Sequence, residues 1–204
     1  MFDKNQSINL SKGGSVNLSK VAPALKRVRV GLGWNPNTGS GPAYDLDVSA
    51  FILKRNINGD PTTLSPQHFV FFNNLSSPEG AVIHNGDNRD GLAEGDDEVM
   101  LVDLAKIPSE AAEISFIVTI HDAISRKQNF GHVKNSYIVI YDADTDVEIC
   151  RYNLQENFSS EISVQFGSLE RNQKNEFSFS AVGVGYSNTL ADFVSQYGLT
   201  SHGG

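Results

Sequence analysis

Cysteine is almost absent: Cys150 is the only one in 204 residues, so no intramolecular disulfide can form. That usage fits a reducing compartment. Basic charge is also scarce. Sixteen Lys and Arg stand against twenty-four Asp and Glu, a formal net charge of −8. Phosphate backbones need a basic footprint, so the balance argues against nucleic acid and favours cations or a basic protein surface as partners. No run of apolar residues nears the eighteen or so of a membrane span, and MFDKNQSINLSKGG has no signal-peptide core. A soluble, cytoplasmic protein is the expectation. Reactive motifs are missing as well: no Gly-x-Ser-x-Gly, no phosphate-binding Gly-x-x-x-x-Gly-Lys-Ser/Thr and no His-Glu-x-x-His occurs. The expectation is therefore no enzyme, with no catalytic residue and no small-molecule substrate.

What the chain does have is alternation. In KRVRVGLGW, Val28, Val30, Leu32 and Trp34 share one face, and Arg27, Arg29, Gly31 and Gly33 the other. EISFIVTIH places Ile114, Phe116, Val118 and Ile120 inward by the same period of two. Comparable strands are legible at 46–54, 68–72, 99–104, 136–142, 147–153, 161–169 and 176–184. Turn residues separate them, as in Asn58-Gly59-Asp60, Ser77-Pro78-Glu79-Gly80 and the stretch from Asp142 to Asp146. About ten strands punctuated this way predict an all-β, antiparallel sandwich of two sheets, forming one domain over residues 1–204. INLSK (8–12) recurs as VNLSK (16–20) across Gly13-Gly14-Ser15, which reads as a hairpin. One helix is expected in NTLADFVSQYG, capped at Gly198, and a shorter one around 108–112. GLGWNPNTGSG (31–41) reads as a flexible loop.

The stretch GDNRDGLAEGDDE (86–98) crowds Asp87, Asp90, Glu94, Asp96, Asp97 and Glu98 around the single base Arg89. Two carboxylates about 5 Å apart repel by roughly 3 kcal/mol at an effective dielectric near 20. A solvated loop, raised pKa values or a bound cation would each relieve this. Gly86, Gly91 and Gly95 permit tight backbone that aims oxygens inward, and the donors are all oxygens. That chemistry suits Ca²⁺, which accepts about 6 to 8 oxygens in irregular geometry, better than Mg²⁺ or zinc. Asp45 and Asp47 open an otherwise apolar strand on one face, about 7 Å apart. Asn73 and Asn74 add amide oxygens at another strand end, or form a turn. Asp122, beside His121, ends a third strand. Together these groups suffice for two ions. EF-hand spacing fails at Arg89, Gly91 and Leu92 after Asp87, and at Val147 after DADTD, which reads as a hairpin turn. Cys150 alternates inward and has no thiolate-activating neighbour.

The assembled pattern resembles the TerD family of tellurium-resistance and stress-response proteins. The matching segments are LSKGG (10–14), VGLGW (30–34), YDLDVSAF (44–51), FVFFNNLSSPEG (69–80), HNGDN (84–88), EGDDE (94–98), VTIHDA (118–123), RKQNFG (126–131) and FSFSAVGVGYSN (177–188). The resemblance implies a β-sandwich binding two Ca²⁺ ions at one end, in a cytoplasmic bacterial protein without known catalysis. By motif it carries over Asp45, Asp47, Asp87, Asn88, Asp96, Asp97 and Glu98 as ligands or near-ligands. Three departures stand out: Asn35 where the family usually has aspartate, Asp90 for a small hydroxyl residue, and Leu92-Ala93 for a glycine-containing pair. The resulting expectation is a calcium module acting on other proteins of a tellurium-resistance system, including at the inner face of the membrane. The competing expectations are a C2-like calcium-dependent membrane-docking module and a metal-dependent hydrolase.

Overall fold

The computed structural model describes residues 7–37, 41–85 and 95–199. The chain opens with β1 (Ile8–Leu10), β2 (Ser15–Asn17), helical turn α1 (Leu18–Val21), β3 (Arg27–Gly33) and β4 (Leu46–Arg55). Then come β5 (Pro61–Thr63), β6 (Phe69–Val70), β7 (Val82–His84), β8 (Glu98–Asp103) and β9 (Glu113–Ile120). The last third holds α2 (Ala123–Arg126), β10 (Tyr137–Asp142), β11 (Val147–Asn153), β12 (Ser163–Arg171), β13 (Phe177–Tyr186) and α3 (Leu190–Gln196). One sheet runs β1-β11-β10-β3-β8-β7, and the other β2-β13-β12-β9-β4-β5 with β6 also on β4. All pairings are antiparallel except β1 with β11. The sandwich expected from alternation is what forms.

Between the sheets lies the main core, with Val28, Val30, Leu32 and Trp34 from β3 and its end, and Ile114, Phe116, Val118 and Ile120 from β9. β4 departs from simple alternation, because its first eight residues are all buried. The cause is α3, which lies over the outer face of the second sheet. Phe193 and Tyr197 pack there with Phe51, Leu53, Phe69 and Ile117. Phe51 stacks on Phe69 at 4.4 Å between centroids. Each such side chain stabilises the fold by about 1.5–3 kcal/mol through removal from water. α3 is set by its ends. Thr189 and Asp192 form a reciprocal capping box, and Gly198 at φ +77° lets Leu199 N–H donate to Val194 O.

Three sequence expectations fail for identifiable reasons. The INLSK/VNLSK repeat is not a hairpin: β1 pairs with β11 in one sheet, while β2 pairs with β13 in the other. Gly13-Gly14 carry the chain between sheets, bonded to Ala181 on β13, and Asn17 caps α1 instead of continuing the strand. Around 108–112 there is a turn and no helix. The carbonyls of Pro108 and Ala111 are taken by the Arg171 guanidinium, and one turn is too short to nucleate a helix alone. Gly31 and Gly33 belong to β3 rather than to a flexible loop, and Trp34 is buried after them. No helix among the described residues is long and apolar enough to cross a membrane.

Candidate metal centre

The acidic stretch connects β7 to β8, whose ladder ends at His84 opposite Met100, and Asn85 N–H donates to Val99 O at 2.9 Å. Asp87, Asn88 and Glu94 lie outside the described residues. The returning limb can be followed from Gly95. Asp97 N–H donates to Leu32 O at 2.7 Å, and its Oδ2 accepts from Trp34 N–H at 2.9 Å. Glu98 reaches across the sandwich: its Oε2 accepts from Val48 N–H of β4 at 3.2 Å and stands 3.2 Å from His84 Nε2. Both carboxylates are buried, Asp97 at 8% and Glu98 at 2% exposure.

Asp96 turns the other way. Its carboxylate lies on the outer face of the first sheet, over Gly31, where a Cβ would collide with it. Arg29 Nη1 pairs with its Oδ2 at 2.6 Å, and Tyr137 O–H donates to its Oδ1 at 3.1 Å. Arg29 also meets Asp146 and stacks over the Tyr141 ring at 3.7 Å, while Arg151 covers Tyr137. Burial, followed by the nearby Asp96 charge, pushes the Tyr137 hydroxyl up to about 12. Asp96 is thus engaged in a polar network apart from Asp97 and Glu98. The Asp142–Asp146 segment closes the β10–β11 hairpin, with Asp146 at φ 57°, as its sequence suggests.

Asp45 and Asp47 flank the start of β4 beside the end of β9. His121 N–H donates to Asp45 O at 2.8 Å, and Asp47 opposes Thr119. Arg126 Nη1 is 3.5 Å from Asp45 Oδ2. His121 bridges two carboxylates, with Nδ1 3.6 Å from Asp47 and Nε2 3.6 Å from Asp122. The side chains of Asp45 and Asp47 are 14% and 11% exposed, and that of Asp122 is 63% exposed. Nearby, Gln128 Nε2 donates to the carbonyls of Pro42 and Ala43 at 2.9 and 3.1 Å, which fixes the amide orientation. Its Oε1 is buried without a hydrogen-bond partner. A buried acceptor left this way is costly unless something electropositive meets it.

Asn74 has a structural task. It donates to Phe69 O at 2.6 Å and Gln67 O at 3.1 Å, bracing the turn that follows β6, and Asn73 is exposed at its tip. Cys150 is fully buried, and burial pushes its thiol up to about 12, so it is no thiolate near neutral pH. Among the described residues, no three or more His, Cys, Asp or Glu are grouped as a metal site. A complete ligand set would therefore have to draw on the 86–94 segment. The donors present at this end fit a hard, oxygen-seeking cation better than a soft one. His84, Arg126 and Gln128 were missed as neighbours of this site. His84 and Gln128 fall within HNGDN and RKQNFG, but no spacing rule links either to Glu98 or to the 42–45 turn.

Comparison with known proteins identifies the family. The TerD domain model matches residues 6–197. The tellurium resistance protein TerD of Serratia marcescens is 46% identical over 197 residues, covering 96% of this chain and 99% of that one. General stress protein 16U of Bacillus subtilis (strain 168) is 43% identical, covering 95% and 98%. A crystal structure of a telluride resistance protein (TerD) homologue from Streptomyces coelicolor A3(2) superposes with a TM-score of 0.65. It is 23% identical, covers 83% of this chain and 95% of that one, and supports the fold alone. The chain belongs to the TerD domain family of tellurium-resistance and stress-response proteins.

Proposed function

We propose that this chain is a non-enzymatic, cytoplasmic Ca²⁺-binding protein that acts on partner proteins through loops ordered by the metal. The observation that carries the reading is the bond from Val48 N–H to Glu98 Oε2. It sets the root of the acidic loop against the strand that begins Asp45-Leu46-Asp47, two carboxylate-bearing segments distant in sequence. Asp45, Asp47, Asp97 and Glu98 would hold calcium together with Asp87, Asn88 and Glu94, and Gln128 Oε1 is a further neutral oxygen. Calcium, when bound, neutralises these carboxylates and gives their connecting backbone a reason to stay in one conformation. The protein's own share is to pre-position donors: β4 and β9 fix Asp45 and Asp47, and the Leu32 and Trp34 backbone fixes Asp97.

Thermal unfolding with chelator and with calcium tests this. A hundredfold excess of metal over Kd adds about 2.7 kcal/mol, which for a domain of this size raises Tm by roughly 5–10 °C. Identical melting curves in chelator and in millimolar calcium would remove the proposal.

A further inference from the structure

Beside His121 the surface sinks into a depression of about 500 Å³. This lies within the roughly 300–1,000 Å³ of ligand sites and has room for one or two large apolar side chains. Apolar side chains line much of it, with Phe72 from the turn after β6, Ala123 and Ile124 from α2, Ile162 just before β12 and Leu190 from α3, beside several hydroxyl and amide side chains. Ile124 is 73% exposed and Phe72 37% exposed, and both line this one depression. Asp47 and Asp122 line it with His121 between them, and among the described lining residues there is neither Lys nor Arg. Arg126, the nearest base on α2, faces Asp45 instead.

The backbone that presents Ile124 is unusual. α2 is a single turn bracketed by Asp122 at φ 52° and Lys127 at φ 53°, both left-handed and neither glycine. Such conformations cost energy and persist where surrounding structure enforces them, and they concentrate at binding sites. Here they hold an isoleucine out over an apolar cleft.

We propose that this groove binds a partner-protein segment that places a large aliphatic or aromatic side chain beside a Lys or Arg. The apolar side chain would sit between Phe72, Ile124 and Leu190, and the base would face Asp122 and Asp47. Acidic or phosphorylated ligands would meet Asp122 at the mouth of the groove, on a chain whose net charge is already −8. Asp47 is shared with the proposed calcium site, whereas Phe72, Ile124 and Leu190 are not metal donors, so binding measured in chelator tests the groove apart from the metal. A protein that takes up no calcium can still bind here, and one that takes it up can still fail.

The test uses full-length protein in chelator and a labelled twelve-residue Leu/Lys peptide, with Leu/Glu and Ser/Lys peptides as controls, read by fluorescence anisotropy. Selective binding of the Leu/Lys peptide is expected, weakened about tenfold or more by Ile124→Asp. Non-specific attraction to an acidic protein would instead tighten in that variant, because it adds a negative charge. Asp122→Asn, which tolerates the left-handed backbone, is expected to weaken binding less and to flatten its salt dependence. Circular dichroism confirms that each variant is folded. Equal binding of all three peptides, or unchanged affinity in Ile124→Asp, would overturn the proposal. So would Ile124-dependent sedimentation with phosphatidylserine vesicles in a protein that ignores the peptide, since a lipid surface would then be the occupant.

Discussion

Glu98 Oε2 stands 3.2 Å from His84 Nε2, with both side chains 1% exposed. The same oxygen accepts from Val48 N–H, so one buried carboxylate joins β7, β8 and β4. Truncation leaves a buried imidazole and a buried amide short of a partner. Glu98→Ala is expected to lose about 3 kcal/mol in urea unfolding with chelator present, and Glu98→Gln markedly less. A loss under about 1 kcal/mol for the alanine variant would show the bridge to be dispensable.

Gly31 makes room for Asp96 on the outer face of the first sheet. Gly31→Ala would displace the Asp96 carboxylate and break its pairing with Arg29, at a cost of about 1–3 kcal/mol. In an Asp96→Ala background the same substitution is expected to be milder, because the side chain it collides with is gone. A double-mutant cycle in urea measures the difference, and strict additivity would contradict the contact.

Alkaline pH should weaken the fold, and the sign follows from one buried group and one half-buried one. Burial raises the Cys150 thiol from its ordinary 9.0 to about 12. Burial, then Asp96, raises Tyr137 from 10.0 to about 12. The unfolded chain releases these protons first, so the folded state binds more protons between the two values. Their stabilising contribution is complete below about pH 9 and falls as pH climbs towards 12. Cys150→Ala is expected to flatten the stability curve between pH 9 and 10, where the thiol is the larger contributor of the two. Native Cys150 should also resist aromatic disulfide reagents near pH 8 and react on unfolding.

α3 covers the outer face of the second sheet through Phe193, which packs with Phe51, Phe69 and Ile117. Phe193→Ala is expected to cost about 3–5 kcal/mol and to increase binding of a hydrophobic dye. Thr189→Ala removes the helix cap and is expected to cost about 1 kcal/mol. If the helix packed only loosely, both values would fall towards zero.

Much of this architecture is visible in the order of residues, because alternation is a local property. Val28, Val30 and Leu32 announce their face without any knowledge of the partner sheet. The long-range decisions are not local. Nothing in INLSK says that β1 will add to β11 while its repeat adds to β13, and the buried outer face of β4 becomes intelligible only once α3 is docked on it. The acidic loop is conspicuous as a charge cluster, yet Asp96 and Asp97 are neighbours with opposite fates. Asp96 goes to Arg29 and Tyr137 outside, while Asp97 goes to the Trp34 backbone inside. That sorting depends on the absent side chain of Gly31 and on β8 beginning only at Glu98. Gln128 was legible as part of a family segment, but its unpartnered oxygen is a product of the 42–45 turn. The Phe72–Ile124 groove also escaped the sequence, because its lining comes from segments far apart along the chain.

Calorimetric titration of calcium into chelator-stripped, full-length protein tests the central claim most directly. Saturable heat corresponding to about two ions per chain, lost in part when Asp45 and Asp47 are both changed to Asn, is the expected result. A flat titration up to millimolar calcium would contradict it.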